Sequence, residues 1–82
     1  MKLEIKDNNY TGGRYAIFEH DGKWYYADKS PIPYLGMEET MIFPYDKENE
    51  EVSDWGGLYC DRTDQSLEEC VEEFINGDYF ED

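Results

Sequence analysis

Arg14-Tyr15-Ala16-Ile17-Phe18-Glu19-His20-Asp21-Gly22-Lys23-Trp24-Tyr25-Tyr26-Ala27-Asp28 is the stretch that decides the fold. Two runs rich in aromatic and β-branched residues flank Asp21-Gly22, a dipeptide that suits the left-handed positions of a type I′ turn, and this predicts a tight antiparallel hairpin. A two-residue loop fixes the register. His20 falls opposite Lys23, Glu19 opposite Trp24, Phe18 opposite Tyr25, Ile17 opposite Tyr26 and Ala16 opposite Ala27. Because side chains alternate along a strand, one face carries Ala16, Phe18, Tyr25 and Ala27 and the other Tyr15, Ile17, Trp24 and Tyr26. Both faces are apolar enough to pack, so one is expected to meet a helix and the other to be partly open or covered by the loop that follows.

Working outward, Leu3 and Ile5 alternate with Glu4 and Lys6 and predict a half-buried first strand, closed by Asn8-Asn9 and Gly12-Gly13. After the hairpin, Pro31 and Pro33 restrict their neighbours to extended geometry, and Lys29 to Gly36 reads as a stiff, partly apolar crossing. Thr40 to Tyr45 predicts a fourth strand, ended by Pro44 and the polar run Asp46 to Glu51. Leu58-Tyr59-Cys60 predicts a fifth, with Gly56-Gly57 at an irregular start.

A helix comes last. Ser66-Leu67-Glu68-Glu69 has the pattern of a capping box, and Leu67, Cys70, Val71, Phe74 and Ile75 form one apolar stripe at i, i+3, i+4, i+7 and i+8. Gly77 is placed to stop the helix. Such a short helix is marginal alone and must dock on the sheet. The predicted fold is α+β: a mainly antiparallel sheet of four to five strands with one C-terminal helix packed on it, residues 1–82 forming a single domain.

Charge is distributed unevenly. Up to Tyr45 there are seven acids against five bases, but from Asp46 onward there are fourteen acids against Lys47 and Arg62 alone, so twelve of the fourteen net negative charges lie in the second half. Such a field favours an electropositive partner and opposes direct nucleic-acid binding, which needs Lys and Arg to neutralise phosphate. Glu68, Glu69, Glu72 and Glu73 project opposite the apolar stripe as an acidic ridge, with no lysine to relieve like charges four residues apart. Asp46, Glu48, Glu50, Glu51, Asp54, Asp61 and Asp64 add the same sign. A surface kept merely soluble normally mixes signs, so Asp46, Glu48, Glu50, Glu51, Asp54, Asp64 and the four ridge glutamates are the candidate partner-binding residues. Charge reversal of the ridge is expected to leave the fold intact. The tail aromatics Tyr79 and Phe80 read first as a frayed end or a strand-like cap over the core, and Trp55 as a core residue; an aromatic anchor for a partner is the alternative at each.

Catalytic and metal chemistry find little support. His20, the single histidine, adjoins the Asp21-Gly22 turn, where it is expected to be exposed, and no nucleophile motif, phosphate-cradling glycine loop or zinc ligand set occurs. Asp46-Lys47-Glu48-Asn49-Glu50 has the rhythm of a calcium loop. However, Glu51 stands where that loop requires glycine and Gly57 where it requires glutamate. No enzyme, no metal and no cofactor is the expectation. Cys60 and Cys70 read as partly buried free thiols of a reducing compartment, with a Cys60–Cys70 disulfide as the alternative. With no apolar run long enough for a signal peptide or a membrane span, the chain is expected to be cytoplasmic and off the membrane. Oligomeric state has no signature in the sequence.

Met41-Ile42-Phe43-Pro44, followed by Trp55-Gly56-Gly57-Leu58-Tyr59-Cys60-Asp61-Arg62 and an acidic helix, resembles short acidic proteins of bacterial phages and prophages over residues 40–75. That setting includes inhibitors of host defence of the anti-CRISPR class. The resemblance implies a setting more than an activity; in that setting the acidity leads to the expectation of a small non-enzymatic inhibitor that binds the basic nucleic-acid-binding site of an electropositive host protein, as a nucleic-acid mimic or a competitive inhibitor. An immunity or antitoxin protein neutralising a basic nuclease toxin is the alternative, and a non-inhibitory accessory phage protein a third.

Overall fold

The computed structural model describes residues 3–53 and 56–77, so Asp54, Trp55, Tyr79 and Phe80 lie outside the described residues. Six strands and one helix follow in the order β1 (Lys6–Asn8), β2 (Gly13–His20), β3 (Lys23–Ile32), β4 (Met37–Asp46), β5 (Glu51–Val52), β6 (Tyr59–Asp61) and α1 (Leu67–Asn76). All pairings are antiparallel: β1 to β5 lie in sequence order across the sheet, and β6 also pairs with β4. The α+β fold with one C-terminal helix on an antiparallel sheet is therefore as the sequence predicts.

The β2–β3 hairpin has the predicted register, from His20 opposite Lys23 to Ala16 opposite Ala27. Asp21 and Gly22 both have positive φ, 54° and 77°, as the type I′ turn requires. Of its two faces, Ala16, Phe18, Tyr25 and Ala27 are buried, and they join Ile42, Tyr59, Leu67, Cys70, Val71 and Phe74 in the core. Phe74 is the centre of that core. Its ring meets Phe18, Tyr25 and Tyr59 edge-on at centroid distances of 6.3, 5.3 and 6.1 Å. Truncating a ring so enclosed costs about 3–5 kcal/mol, which is why the short helix is held.

The helix start follows the capping-box pattern: Ser66 Oγ accepts from the Glu69 amide at 3.1 Å, and the Glu69 carboxylate accepts from the Ser66 amide at 2.9 Å. The helix ends at Gly77, as predicted, though Gly77 is extended there rather than left-handed.

Four expectations need correction. The first strand is not Leu3 to Lys6: pairing begins at Lys6, opposite Tyr15, while Leu3 and Ile5 pack as partly buried side chains against the core. Their alternation records burial rather than ladder pairing. The stretch Lys29 to Gly36 is no crossing but the tip of a second hairpin, because β3 runs on to Ile32 and β4 starts at Met37. Pro31 is tolerated because β2 ends opposite Lys29, leaving β3 with one neighbour there. The polar run after β4 conceals a turn: Asp46 accepts from the Asn49 amide and side chain at 3.2 and 2.8 Å, Glu50 takes a φ of 52°, and β5 returns along β4. His20 is half-buried rather than exposed, 3.5 Å from Asp21.

Gly13 marks a close backbone approach. A Cβ there would collide with the Lys29 carbonyl oxygen and stand 2.6 Å from Ser30 Cα, so only glycine fits where β2 begins beside β3.

Candidate functional site

The helix places its buried stripe, Leu67, Cys70, Val71 and Phe74, on the sheet and leaves Glu68, Glu69, Glu72 and Glu73 exposed. No basic residue occupies the last helical turn. The four acids are not equivalent. Glu69 closes the helix cap, and Glu73 accepts a hydrogen bond from the Tyr59 hydroxyl at 2.5 Å, tying the helix to β6. Burial, and then this carboxylate, push the Tyr59 hydroxyl well above the ordinary tyrosine range. The ridge is therefore partly structural, contrary to the expectation that all four glutamates can be reversed without cost.

The second acidic group occupies the β4–β5 turn, where Asp46, Glu48, Glu50 and Glu51 are all exposed. Hydrogen bonds from Asn49 hold Asp46 below the usual carboxylate range. This turn reaches the sheet face opposite the helix: Lys47 Nζ stands 4.7 Å over the Trp24 ring, and Glu50 borders a hollow with Tyr26 and Tyr45. Glu50 thus borders the open face, whereas Asp46 and Glu51, paired next to Tyr45 and Val52, alternate to the side of the sheet that carries the helix. Asp64, between β6 and α1, is exposed and lines a groove with Lys29, Arg62 and Glu38. Asp54 lies outside the described residues.

The two bases of the acidic half are both turned towards the sheet. Arg62 Nε donates to Glu39 at 2.8 Å, and Lys47 covers Trp24, so neither sits in the helical acid row. The Arg62 bond, with a second from Cys60 Sγ at 3.2 Å, holds Glu39 below the usual carboxylate range. Cys60 is exposed and Cys70 buried; neither is in a disulfide.

Sequence reasoning missed two features. Lys29, assigned to a loop, is a buried β3 residue whose Nζ donates to the Gln65 carbonyl oxygen at 2.9 Å and lies 3.9 Å from Glu38. Its alternation with Tyr25 and Ala27 was the available signal, masked by the prolines that follow. The other is a row of stacked rings on the open face, with Tyr15 and Tyr26 centroids 5.2 Å apart and Tyr26 and Tyr45 6.3 Å apart. Tyr15 and Tyr26 share that face by the hairpin register, but Tyr45 joins them only through the β3–β4 pairing, which places Phe43 opposite Tyr26. Behind the row, Asp28 accepts from Asn8 Nδ2 at 2.6 Å and from the Ser30 hydroxyl, binding β1 to β3.

Among the described residues, no group of three or more His, Cys, Asp or Glu side chains is arranged to hold a metal ion, and no helix is long and apolar enough to cross a membrane. No family model, curated protein or solved structure matches the chain.

Proposed function

We propose that this protein is a non-enzymatic inhibitor of the phage type, which blocks a basic nucleic-acid-binding site on a host protein with its carboxylates. The observation that carries the reading is the outer face of α1, where Glu68, Glu69, Glu72 and Glu73 stand exposed on a short rigid rod with no base in its last turn. Carboxylates spaced along a helix can occupy a groove lined by Arg and Lys that otherwise holds phosphates. The like-charge pairs at i, i+4 each cost about 0.2–0.5 kcal/mol of helix stability. Docking of α1 on the core through Phe74 holds the row against that repulsion.

The exposed acids of the β4–β5 turn widen the field that steers a basic partner. The reading is tested by asking whether nucleic acid and this protein exclude one another on the basic protein that it captures. A target that proves to be a nuclease toxin made by the same genome would place it among immunity proteins with the same physical mechanism.

A further inference from the structure

The open sheet face carries a hollow of about 400 Å³ lined by Tyr15, Tyr26 and Tyr45 and bordered also by Tyr10, Asp7 and Glu50. We propose that this hollow receives an arginine side chain of a partner protein, its guanidinium stacked on the tyrosine row and hydrogen-bonded to the rim carboxylates.

Four observations lead there. First, the volume is at the small end of ligand pockets, which suits one extended side chain better than a larger molecule. Second, Tyr15, Tyr26 and Tyr45 form a stacked row with interplanar angles of 19° and 25°; the middle ring has a neighbour on each face, so a guanidinium stacks at an end of the row.

Third, the charge around the rings is complementary to a cation. Burial, then Asp28 and Tyr15, push the Tyr26 hydroxyl up to about 12, and burial followed by Glu50 raises that of Tyr45, so the rings remain neutral phenols in an acidic field. The one base at the rim, Lys6, lies 3.9 Å from Glu4. Fourth, the same face already holds a cation on an aromatic ring, Lys47 over Trp24 at 4.7 Å, which shows that it accepts this geometry.

Arginine is preferred to lysine because a planar guanidinium can stack on a ring and donate to carboxylates in its own plane at once. A second copy of the chain is disfavoured as the occupant, since each carries a net charge of −14. The hollow is on the face opposite α1, so its failure leaves the blocking role of the helical row standing, and the reverse also holds.

The test is a nuclear magnetic resonance titration of the whole protein with three end-capped pentapeptides, Gly-Gly-Xaa-Gly-Gly, in which Xaa is arginine, lysine or citrulline, the neutral isostere of arginine. The expected result is a saturable shift of the Tyr15, Tyr26 and Tyr45 ring signals with the arginine peptide, at least fivefold weaker with lysine and at least tenfold weaker with citrulline. Tyr45→Ala should weaken the arginine response at least fivefold. Glu50→Gln, on the exposed turn, should weaken it about threefold and serves if Tyr45→Ala does not fold. The proposal is overturned by equal responses to arginine and citrulline or to arginine and lysine, by shifts that map to α1, or by the absence of saturation.

Discussion

The Tyr59 hydroxyl donates a 2.5 Å hydrogen bond to the Glu73 carboxylate, joining the last turns of α1 to β6 through an acid that also belongs to the exposed helical row. One residue thus serves both the packing of the helix and the field that it presents.

That division gives a mutational contrast. Glu68→Lys, on the exposed helix face, should shift stability by no more than about 0.5 kcal/mol, the usual scale for surface substitutions. Glu73→Lys should cost about 1–3 kcal/mol, because it removes the short charge-assisted hydrogen bond from the buried Tyr59. Urea midpoints of the two variants check this; equal losses would deny Glu73 its structural role.

Gly13→Ala should be among the most damaging single-methyl additions in the chain. The added carbon meets backbone, the Lys29 carbonyl oxygen and Ser30 Cα, neither of which can swing aside as a side chain would. Overpacking of this kind costs about 1–3 kcal/mol or more. Gly22→Ala, whose Cβ would meet nothing, isolates the separate cost of the left-handed backbone there, φ 77°. A smaller loss at Gly13 than at Gly22 would contradict the close approach of β2 to β3.

Alkali should unfold the protein through its tyrosines. Tyr26 is raised from 10.0 to about 12, and Tyr25, Tyr45 and Tyr59 are also raised, with burial the leading cause in each. A hydroxyl harder to ionise when folded contributes stability that is complete below its unfolded value, near 10, and is lost as pH climbs towards the folded value. Melting temperature should therefore fall steeply above pH 10, and ultraviolet titration should show these phenolates appearing together with unfolding. Ionisation of all eight tyrosines near pH 10 in a chain that stays folded would count against it.

Thiol chemistry separates the two cysteines. Cys60 is exposed but donates to Glu39, and burial followed by that carboxylate pushes its thiol up, so it should react slowly with a disulfide reagent at neutral pH. Buried Cys70 should react only on denaturation. Rapid labelling of both thiols in the native protein would refute the placement of Cys70 in the core.

The parts of this fold legible in sequence were those fixed by local chemistry. Asp21-Gly22 set the hairpin register, and Ser66 with Glu69 set the start of α1, because each depends on residues within a few positions of one another. What stayed hidden depended on distant partners. Pro31 can sit in β3 only because β2 has already ended, and Lys29 can be buried only because the Gln65 carbonyl, brought up by β6, receives its charge. The acids on α1 were identified from their spacing, but the placing of Glu50 beside the tyrosine row was not, since it depends on β5 folding back along β4. The tyrosine row needed the β3–β4 register, which the prolines concealed.

The central claim, that the helical carboxylates stand in for phosphate, is tested most directly by a competition titration on the purified target with labelled nucleic acid and increasing amounts of this protein. The account predicts mutual exclusion at one site, an affinity that falls steeply with salt, and a loss of at least tenfold for the Glu68→Lys/Glu72→Lys protein. Simultaneous binding of both ligands, with the double variant as potent as the native chain, would contradict it.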